Sequence, residues 1–373
     1  MPKMVIAPRI KSFICLNAHP LGCAANVERE IAVATKDAPG AGLKHALVIG
    51  ASTGYGLSSL VSTVFGYGAR GTAICLERPP QGERTASAGY YNLAAAQSAA
   101  RARGKEIVVI NGDAFSDEVK QEAVAHVAAS GVKLDCVVYS LAAPKRTDPK
   151  TGASWNSALK PIGTTFRSPS INLGNDQIQQ VEIGPASDAE IEATRKVMGG
   201  EDFVAWVTAL MDADLLAKGC RVVAYSYIGP ELTMPIYRSG TIGKAKEDLE
   251  TQTAALSAAL RERIGGAAWV SVNKALVTQA NVYPASVDSS AALTAPPAFL
   301  SDQADFYSIA AESAKITKPF TYGPNVNVAY SSYNDAFGKA AQSKKAANFP
   351  AALATMQQTT VSDMKNTGFK VSG

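Results

Sequence analysis

Residues 50–56 form a glycine-rich turn with the sequence Gly50-Ala51-Ser52-Thr53-Gly54-Tyr55-Gly56. An apolar run over 45–49 leads into it, and the run over 56–65 that follows places its large apolar side chains on one helical face. Because glycine has no Cβ atom, such a turn brings backbone N–H groups close to a pyrophosphate, and the N-terminus of the following helix adds partial positive charge. A strand, a glycine turn and a helix in this order therefore predict a nucleotide phosphate site.

Strand-like apolar runs and alanine-rich helical segments alternate along the chain. The candidate strands are 45–49, 72–76, 106–110, 134–140, 221–226 and 268–272. Repeated βα units predict an α/β fold of the Rossmann type, with a doubly wound parallel sheet and helices on both faces. The G-x-x-x-G-x-G spacing of the turn is typical of short-chain dehydrogenases and reductases, and ligand-binding residues are expected where the strands end.

The residues at the end of the second candidate strand, Leu76 and Glu77, bear on the choice of cofactor. An acidic side chain here accepts hydrogen bonds from the ribose hydroxyls of adenosine and repels a 2′-phosphate. Glu77 therefore favours NAD(H). The guanidinium of the next residue, Arg78, could instead accommodate the phosphate of NADP, so the sequence leaves tolerance of NADPH open.

The third and fourth candidate strands end in residues that suit other parts of a dinucleotide. Asp113 and Ala114 follow the third strand, and a short carboxylate beside a glycine can bond the edge of adenine. Leu141 and Ala142 follow the fourth strand, where small residues leave space beside the nicotinamide ribose. The ends of the first four strands thus predict a complete dinucleotide site.

Composition argues against several classes of function. The chain has 373 residues, a formal net charge of +4 and no Lys/Arg run of the kind that marks a nucleic-acid surface. No apolar run approaches the roughly 18 residues of a membrane span, and residues 1–20 show no secretory pattern, so we expect a cytoplasmic protein. Five widely spaced cysteines are expected to be buried free thiols, and three histidines without partnered spacing predict no metal site.

Two segments stand outside the strand–helix alternation. Residues 1–44 precede the first nucleotide-binding strand, and a lead-in of this length predicts an additional edge element covering the sheet. Residues 144–215 are too long for a simple crossover between strands. We expect this second segment to be an insertion that covers the substrate.

A tyrosine and a lysine that suit a reductase, Tyr237 and Lys246, lie downstream of the fifth candidate strand. A reductase needs a hydroxyl to meet a developing oxyanion, and a nearby ammonium would bias a phenol of pKa near 10 toward ionisation. Nine positions apart, at about 100° per residue, the two would lie on opposite faces of one continuous helix. They can converge only if Tyr237 precedes the helix, and Ser239-Gly240-Thr241 provides such a break.

Several separate motifs occur in an order that is specific. They are Phe13-Ile14-Cys15, Ala18-His19-Pro20, the glycine turn, Glu77-Arg78-Pro79, 111–117, 156–163, 198–202, and Tyr237 with Lys246. Over about residues 3–282 the chain resembles the FabV-type NADH-dependent enoyl reductases, which are the trans-2-enoyl-CoA and enoyl-acyl-carrier-protein reductases. The N-terminal extension of that family would account for residues 1–44.

The resemblance implies a reaction of fatty acid biosynthesis in which NADH delivers hydride to the β-carbon of a 2-enoyl thioester and the α-carbon is then protonated. It implies that Tyr237 holds the enolate oxygen as proton donor, that Lys246 binds the cofactor beside it, and that Tyr227 contacts substrate. The remaining residues that it assigns to NADH are Gly50, Ala51, Ser52, Thr53, Gly54, Tyr55, Leu76, Glu77, Asp113, Ala114, Leu141, Ala142, Leu276, Val277 and Thr278.

The resemblance ends abruptly after Asn281. Residues 283–373 are poor in charge, mostly helical in pattern, and weakly resemble the C-terminal end of an extracellular sugar-binding protein of an ABC transporter. We expect a reductase domain over 1–282, with its insertion at 144–215, followed by a tail over 283–373. The tail is either a diverged part of the fold or foreign to it, and the sudden break favours the second.

Two alternative functions stay open at this stage. A carbonyl or 3-ketoacyl reductase of the same superfamily would normally carry Tyr-x3-Lys, whereas Thr241 stands at that position after Tyr237. A catalytically impaired NADH-binding chimera, or a solute-binding protein, would follow if the tail left the pocket incomplete. The expected partner is a 2-enoyl thioester on coenzyme A or on a carrier protein, and a monomer is favoured.

Overall fold

A computed structural model describes residues 6, 10–11, 14–15, 17–82, 84–172, 177–227, 229, 233–273 and 358. The strands, in chain order, are β1 (Ile10–Lys11), β2 (Ile14–Cys15), β3 (His45–Ile49), β4 (Arg70–Cys75), β5 (Ile107–Asn111), β6 (Leu134–Tyr139), β7 (Lys145–Thr147), β8 (Ser154–Asn156), β9 (Phe166–Asn172), β10 (Gln177–Ile183), β11 (Leu216–Ser226) and β12 (Ala267–Val272). The helices are α1 (Pro20–Lys36), α2 (Gly54–Val61), α3 (Ala88–Ala102), α4 (Asp117–Ala129), α5 (Asp188–Met198), α6 (Glu201–Asp212) and α7 (Thr241–Ile264), and a π-helical turn over Ser62–Gly66 continues α2.

Six of these strands form one parallel sheet in the order β12-β11-β6-β3-β4-β5. The order reverses at β3, which pairs with β6 on one side and β4 on the other. In a doubly wound sheet the ligand crevice lies at this reversal, beyond the carboxyl ends of the strands. The predicted Rossmann-type α/β fold is confirmed.

Apolar side chains cover both faces of the sheet. On one face α4, α6 and α7 pack over a core that includes Phe203 and Trp206, both fully buried. On the other face α1, α2 and α3 pack over a second core that includes Val48 and Leu60. A central strand buried on both sides is expected to be apolar throughout, and all five residues of β3 are buried.

The N-terminal segment contributes α1, which differs from the predicted edge element. The helix begins at Pro20, and Nδ1 of His19 accepts a hydrogen bond from the backbone N–H of Gly22 at 3.3 Å, which caps it. Its buried residues Val27 and Ile31 belong to the same core as α2 and α3. The helix therefore lies in the layer over one sheet face, because its apolar side chains are buried there.

The interruption between β6 and β11 contains two strand pairs and two helices. β7 pairs with β8 in antiparallel fashion, and β9 pairs with β10. Helix α5 packs against α7, and α6 contacts α4 and β11 as part of the core. The substrate-covering role expected for residues 144–215 stays a prediction.

The chain divides into two compact units, residues 1–166 with 183–285, and residues 167–182 with 286–373. The first holds the parallel sheet. In the second, the described residues include parts of β9 and β10, where Nε of Arg167 lies 3.0 Å from a carboxylate oxygen of Glu182. The predicted tail over 283–373 lies outside the described residues except for position 358. Its foreign origin and its resemblance to a sugar-binding protein stay predictions.

Among the described helices, none combines the length and the hydrophobicity that crossing a membrane requires.

The four cysteines whose side chains are described are free thiols. Cys75 and Cys220 are buried, and burial raises the pKa of each thiol to about 12. These two thiols are therefore protonated and unreactive at neutral pH.

Candidate functional site

The glycine turn lies at the reversal of the sheet, directly after β3. Gly50 has a φ of 82°, and its N–H and that of Ala51 donate to the carbonyl oxygen of Ile74 at 2.9 and 3.0 Å. A Cβ atom on Gly50 would lie 2.5 Å from the carbonyl oxygen of Ser140, and one on Gly56 would lie 1.9 Å from that of Gly50. The turn can fold this tightly only because both positions are glycine.

Other residues of the turn are fixed by contacts that the sequence did not reveal. The side-chain N–H of Asn92 donates to the carbonyl oxygen of Ser52 at 3.1 Å. Ser59 Oγ donates to the carbonyl oxygen of Tyr55 at 2.7 Å and lies 2.6 Å from the hydroxyl of Tyr225. These bonds hold the first turn of α2 against α3 and β11. The preformed cradle, with Thr53 as N-cap and Gly54 at a φ of 55°, fits a pyrophosphate.

The end of β4 presents Glu77 in a fixed position. Asn111 at the end of β5 clamps the Glu77 backbone, since its Oδ1 accepts from the Glu77 N–H at 2.7 Å and its Nδ2 donates to the Glu77 carbonyl at 2.8 Å. A Cβ atom on Gly89 would lie 2.0 Å from Oε1 of Glu77, so the carboxylate lies against the first turn of α3. The partial positive charge there favours an anion. Leu76 beside it is 72% exposed, which suits a surface that a ligand would cover.

Arg78 is tied to the loop that precedes α3. Its backbone N–H donates to Oγ of Ser87 at 3.1 Å, and its guanidinium donates to the carbonyl oxygen of Thr85 at 3.4 Å. The guanidinium that the sequence left open as a partner for a 2′-phosphate is thus already oriented by the protein.

The next two strand ends place the remaining candidates on the same edge of the sheet. The carboxylate of Asp113 accepts from the N–H of Phe115 at 3.0 Å and stays exposed, while Ala114 is buried. After β6, the N–H of Ser140 donates to the carbonyl of Ile49 at 2.8 Å, which brings the following Leu141 and Ala142 beside the glycine turn. Leu276, Val277 and Thr278 lie outside the described residues.

Tyr237 lies in the turn before α7, as its convergence with Lys246 requires. The helix begins at Thr241, and the N–H of Gly243 donates to the Tyr237 carbonyl at 2.8 Å, which folds the turn back onto the first helical residues. The ring of Tyr237 makes an edge-to-face contact with Tyr227, with centroids 4.9 Å apart. The predicted break before the helix is confirmed.

The electrostatics of this pair differ from the sequence expectation. Burial, together with Tyr227, raises the pKa of Tyr237 to about 12, so the phenol stays protonated at neutral pH. Burial lowers the pKa of Lys246 to about 8. The expected lowering of the phenol pKa is not found in this structure, because burial and the neighbouring Tyr227 both raise it. A protonated phenol is the form that can donate a proton.

The glycine cradle lies at the sheet reversal, and the acidic residue Glu77 follows β4. Tyr237 lies before α7, the helix that follows β11. These features together define a dinucleotide-binding α/β reductase. The chain belongs to the trans-2-enoyl-CoA reductase family: the model of its NAD(P)H-binding domain matches residues 5–82, and that of its catalytic region matches residues 84–289. The resemblance seen in the sequence is confirmed over this span.

Relatives and solved structures agree with this assignment. The chain is 46% identical over 278 residues to the NADH-dependent trans-2-enoyl-CoA reductase of Clostridium perfringens, covering 74% of this chain and 71% of the relative. It is 49% identical over 279 residues to the NADH-dependent enoyl-[acyl-carrier-protein] reductase of Pseudoalteromonas atlantica, with the same coverage of 74% and 71%. The crystal structure of Treponema denticola trans-2-enoyl-CoA reductase with NAD superposes with a TM-score of 0.71 at 42% identity, covering 78% of this chain and 74% of that one.

Proposed function

We propose that the protein reduces the C2=C3 double bond of 2-enoyl thioesters with NADH, as a step of fatty acid biosynthesis, the acyl group being carried by coenzyme A or by acyl carrier protein. The observation that carries the proposal is the protonated Tyr237 before α7, packed on Tyr227 with ring centroids 4.9 Å apart. It lies in the same compact unit as the glycine cradle and Glu77.

The chain's own residues would act as follows. NADH, when bound, supplies the hydride that adds to the β-carbon. Tyr237 donates a hydrogen bond to the thioester oxygen as negative charge develops there, and Tyr227 contacts the substrate beside it. A proton then adds to the α-carbon of the enolate, which restores the thioester carbonyl and completes the reduction. A preorganised donor of this kind is typically worth about 2.7–4 kcal/mol in the transition state.

The cofactor is assigned along the carboxyl edge of the sheet. The backbone of the turn 50–55 would hold the pyrophosphate, with Leu76 and Glu77 at the adenosine ribose and Asp113 with Ala114 at the adenine. At the other end Leu141, Ala142 and Lys246 would hold the nicotinamide ribose. The fixed carboxylate of Glu77 and the glycine cradle support this arrangement.

The proposal is tested by following NADH oxidation by the full chain with crotonyl-CoA and, separately, with acetoacetyl-CoA. We expect oxidation with the enoyl thioester and none above background with the ketoacyl thioester. The opposite preference would favour the 3-ketoacyl reductase. NADH binding without oxidation by either substrate would favour the impaired chimera.

Replacing Glu77 by alanine is expected to reduce the preference for NADH over NADPH, measured as the ratio of kcat/KM values, by about tenfold, which corresponds to about 1.4 kcal/mol. The physical reason is that the variant loses an acceptor for the ribose hydroxyls and no longer repels a 2′-phosphate. Glu118→Ala, at an exposed glutamate of α4, is the matched control. An unchanged ratio in Glu77→Ala would remove this residue from the cofactor site.

The value of kcat/KM for NADH is expected to fall as the pH rises above about 8, because Lys246 has a pKa of about 8 in the free protein and loses its charge there. Tyr237, with a pKa of about 12, stays protonated over this range. Lys246→Arg should remove the alkaline fall up to pH of about 10, since a guanidinium keeps its charge. Lys244→Arg, whose ammonium lies 2.7 Å from a Glu247 carboxylate oxygen, should keep it. A fall that persists in Lys246→Arg would contradict the assignment.

The same proposal includes a cytoplasmic location and a monomeric state. Free cysteines support a reducing compartment, since disulfides form in oxidising ones. The modest net charge of +4 gives no reason to expect a nucleic-acid partner.

A further inference from the structure

A lysine and an aspartate form an ion pair that is buried beneath the adenine end of the proposed cofactor site. Nζ of Lys120, in α4, lies 2.8 Å from Oδ1 of Asp202 at the start of α6, and the two side chains are 9% and 3% exposed. The same ammonium donates to the carbonyl oxygens of Ala114 at 3.0 Å and Phe115 at 2.9 Å. The Lys120 ammonium thus makes two hydrogen bonds to backbone carbonyls and an ion pair with Asp202.

Asp202 is also hydrogen-bonded to the end of β6. Its second oxygen, Oδ2, accepts a hydrogen bond from the hydroxyl of Tyr139 at 2.9 Å. One turn further along α6, the indole N–H of Trp206 donates to the carbonyl of Ala114 at 3.0 Å. Helices α4 and α6 therefore both form hydrogen bonds to the loop that follows β5. The start of α6 also adds partial positive charge beside the carboxylate.

The groups that are hydrogen-bonded to Lys120 and Asp202 lie near the two ends of the proposed cofactor site. The carbonyls of Ala114 and Phe115 lie in the loop that presents Asp113, where adenine is expected. Tyr139 is the last residue of β6, after which the chain reaches Leu141 and Ala142, where the nicotinamide ribose is expected. One buried pair thus connects two strand ends, β5 and β6, that are not neighbours in the sheet.

Stability alone does not explain the pair. Removing two charges from water costs free energy that their attraction often fails to recover, and apolar residues of similar volume can replace such pairs without loss. Arg103 with Glu28 and Lys133 with Asp214 form ion pairs at the surface, where this cost is small. A buried pair is better suited to fixing one arrangement of its neighbours.

We propose that Lys120 and Asp202 are positioning residues that hold the loop at Asp113 and the strand end before Leu141 at a fixed separation, so that the dinucleotide binds to a preformed site. This inference rests on the proposed function, because it requires the cofactor to span these two ends. A site that is ordered before binding loses less conformational entropy when the ligand binds.

The test measures binding of NADH and of ADP, which lacks both the nicotinamide and its ribose, to full-length variants by titration calorimetry. Lys120→Met frees the loop at Asp113, so we expect the Kd of both ligands to rise about tenfold. Tyr139→Phe releases only the strand end before Leu141. We expect its Kd for NADH to rise about fivefold. Its Kd for ADP should stay within about twofold, because ADP does not reach that strand end. General destabilisation would not separate the two ligands in this way.

A double variant and a control complete the design. K120M/D202L removes both charges and is expected to melt within a few degrees of the wild type, as apolar replacement of a buried pair allows, while binding NADH about tenfold more weakly. Lys133→Met, at the exposed pair, should bind as the wild type does. If K120M/D202L binds both ligands as tightly as the wild type, the inference is overturned and the proposed function stands. If the wild type binds neither ligand, the proposed function is overturned, and the inference with it.

Discussion

Tyr237→Phe is expected to lower turnover with crotonyl-CoA by about 10²–10³-fold while the Kd for NADH changes by less than about twofold. The variant keeps the ring that packs on Tyr227 and removes only the hydroxyl. That hydroxyl is protonated at neutral pH, since burial raises its pKa to about 12, and it is the donor assigned to the developing oxyanion. The measurement is steady-state turnover together with NADH fluorescence titration.

A matched control separates the loss of this hydroxyl from the loss of any phenol. Tyr67 follows the π-helical turn after α2 and is 45% exposed, so Tyr67→Phe should keep wild-type turnover. If Tyr237→Phe retained full turnover, Tyr237 would have no role in the chemistry. If it lost NADH binding to the same degree as turnover, its role would be in the cofactor site.

Gly56→Ala is expected to raise the Kd for NADH by about 10²-fold, since a displacement of about 1 Å in a positioning element can have that effect. Alanine is the better helix former, so propensity alone predicts a gain of about 1 kcal/mol. The added Cβ would lie 1.9 Å from the carbonyl oxygen of Gly50, however, and one of the two backbones must move. The movement widens the turn that is assigned to the pyrophosphate.

The control for this substitution is Gly22→Ala in α1. A Cβ there would meet its nearest neighbour, Cβ of His19, at 3.7 Å, which is an ordinary contact. Gly22→Ala should therefore match or exceed wild-type stability toward urea and bind NADH normally. If Gly56→Ala gave the same two results, the close approach of Gly56 to Gly50 would not matter for the cofactor site.

The features that the sequence predicted well depend on local pattern. Residues 46–49 are all apolar because β3 is buried on both faces. The glycine turn is predicted because a Cβ atom at Gly50 or Gly56 would collide with the backbone. The break before α7 was visible because Gly240 interrupts a good helical pattern. Local composition decides all three of these features.

The ends of two elements were predicted less well, for a physical reason in each case. β11 begins at Leu216, five residues before the predicted start, and its pairing with β6 is irregular between Leu216 and Arg221. Helix α1 begins at Pro20 because His19 caps it, whereas the sequence of residues 1–44 predicted an edge element. Capping and irregular pairing leave little trace in hydrophobic periodicity.

The features that the sequence missed depend on contacts between distant positions. Lys120 and Asp202 each look like a solvated helix residue, and only the fold brings them together in the core. Asn111 belongs to the motif 111–117, but its hydrogen bonds to the backbone of Glu77 form only because β4 and β5 are neighbours in the sheet. The raised pKa of Tyr237 follows from burial, which local sequence does not reveal.

Isotopic labelling shows where the hydrogen from NADH is transferred. The full-length chain is incubated with crotonyl-CoA and NADH carrying two deuterium atoms at C4 of the nicotinamide, and the product is examined by mass spectrometry and NMR. We predict butyryl-CoA with one deuterium, located at C3. No reduced product, or deuterium at another position of the acyl chain, would contradict hydride transfer to the β-carbon of an enoyl thioester.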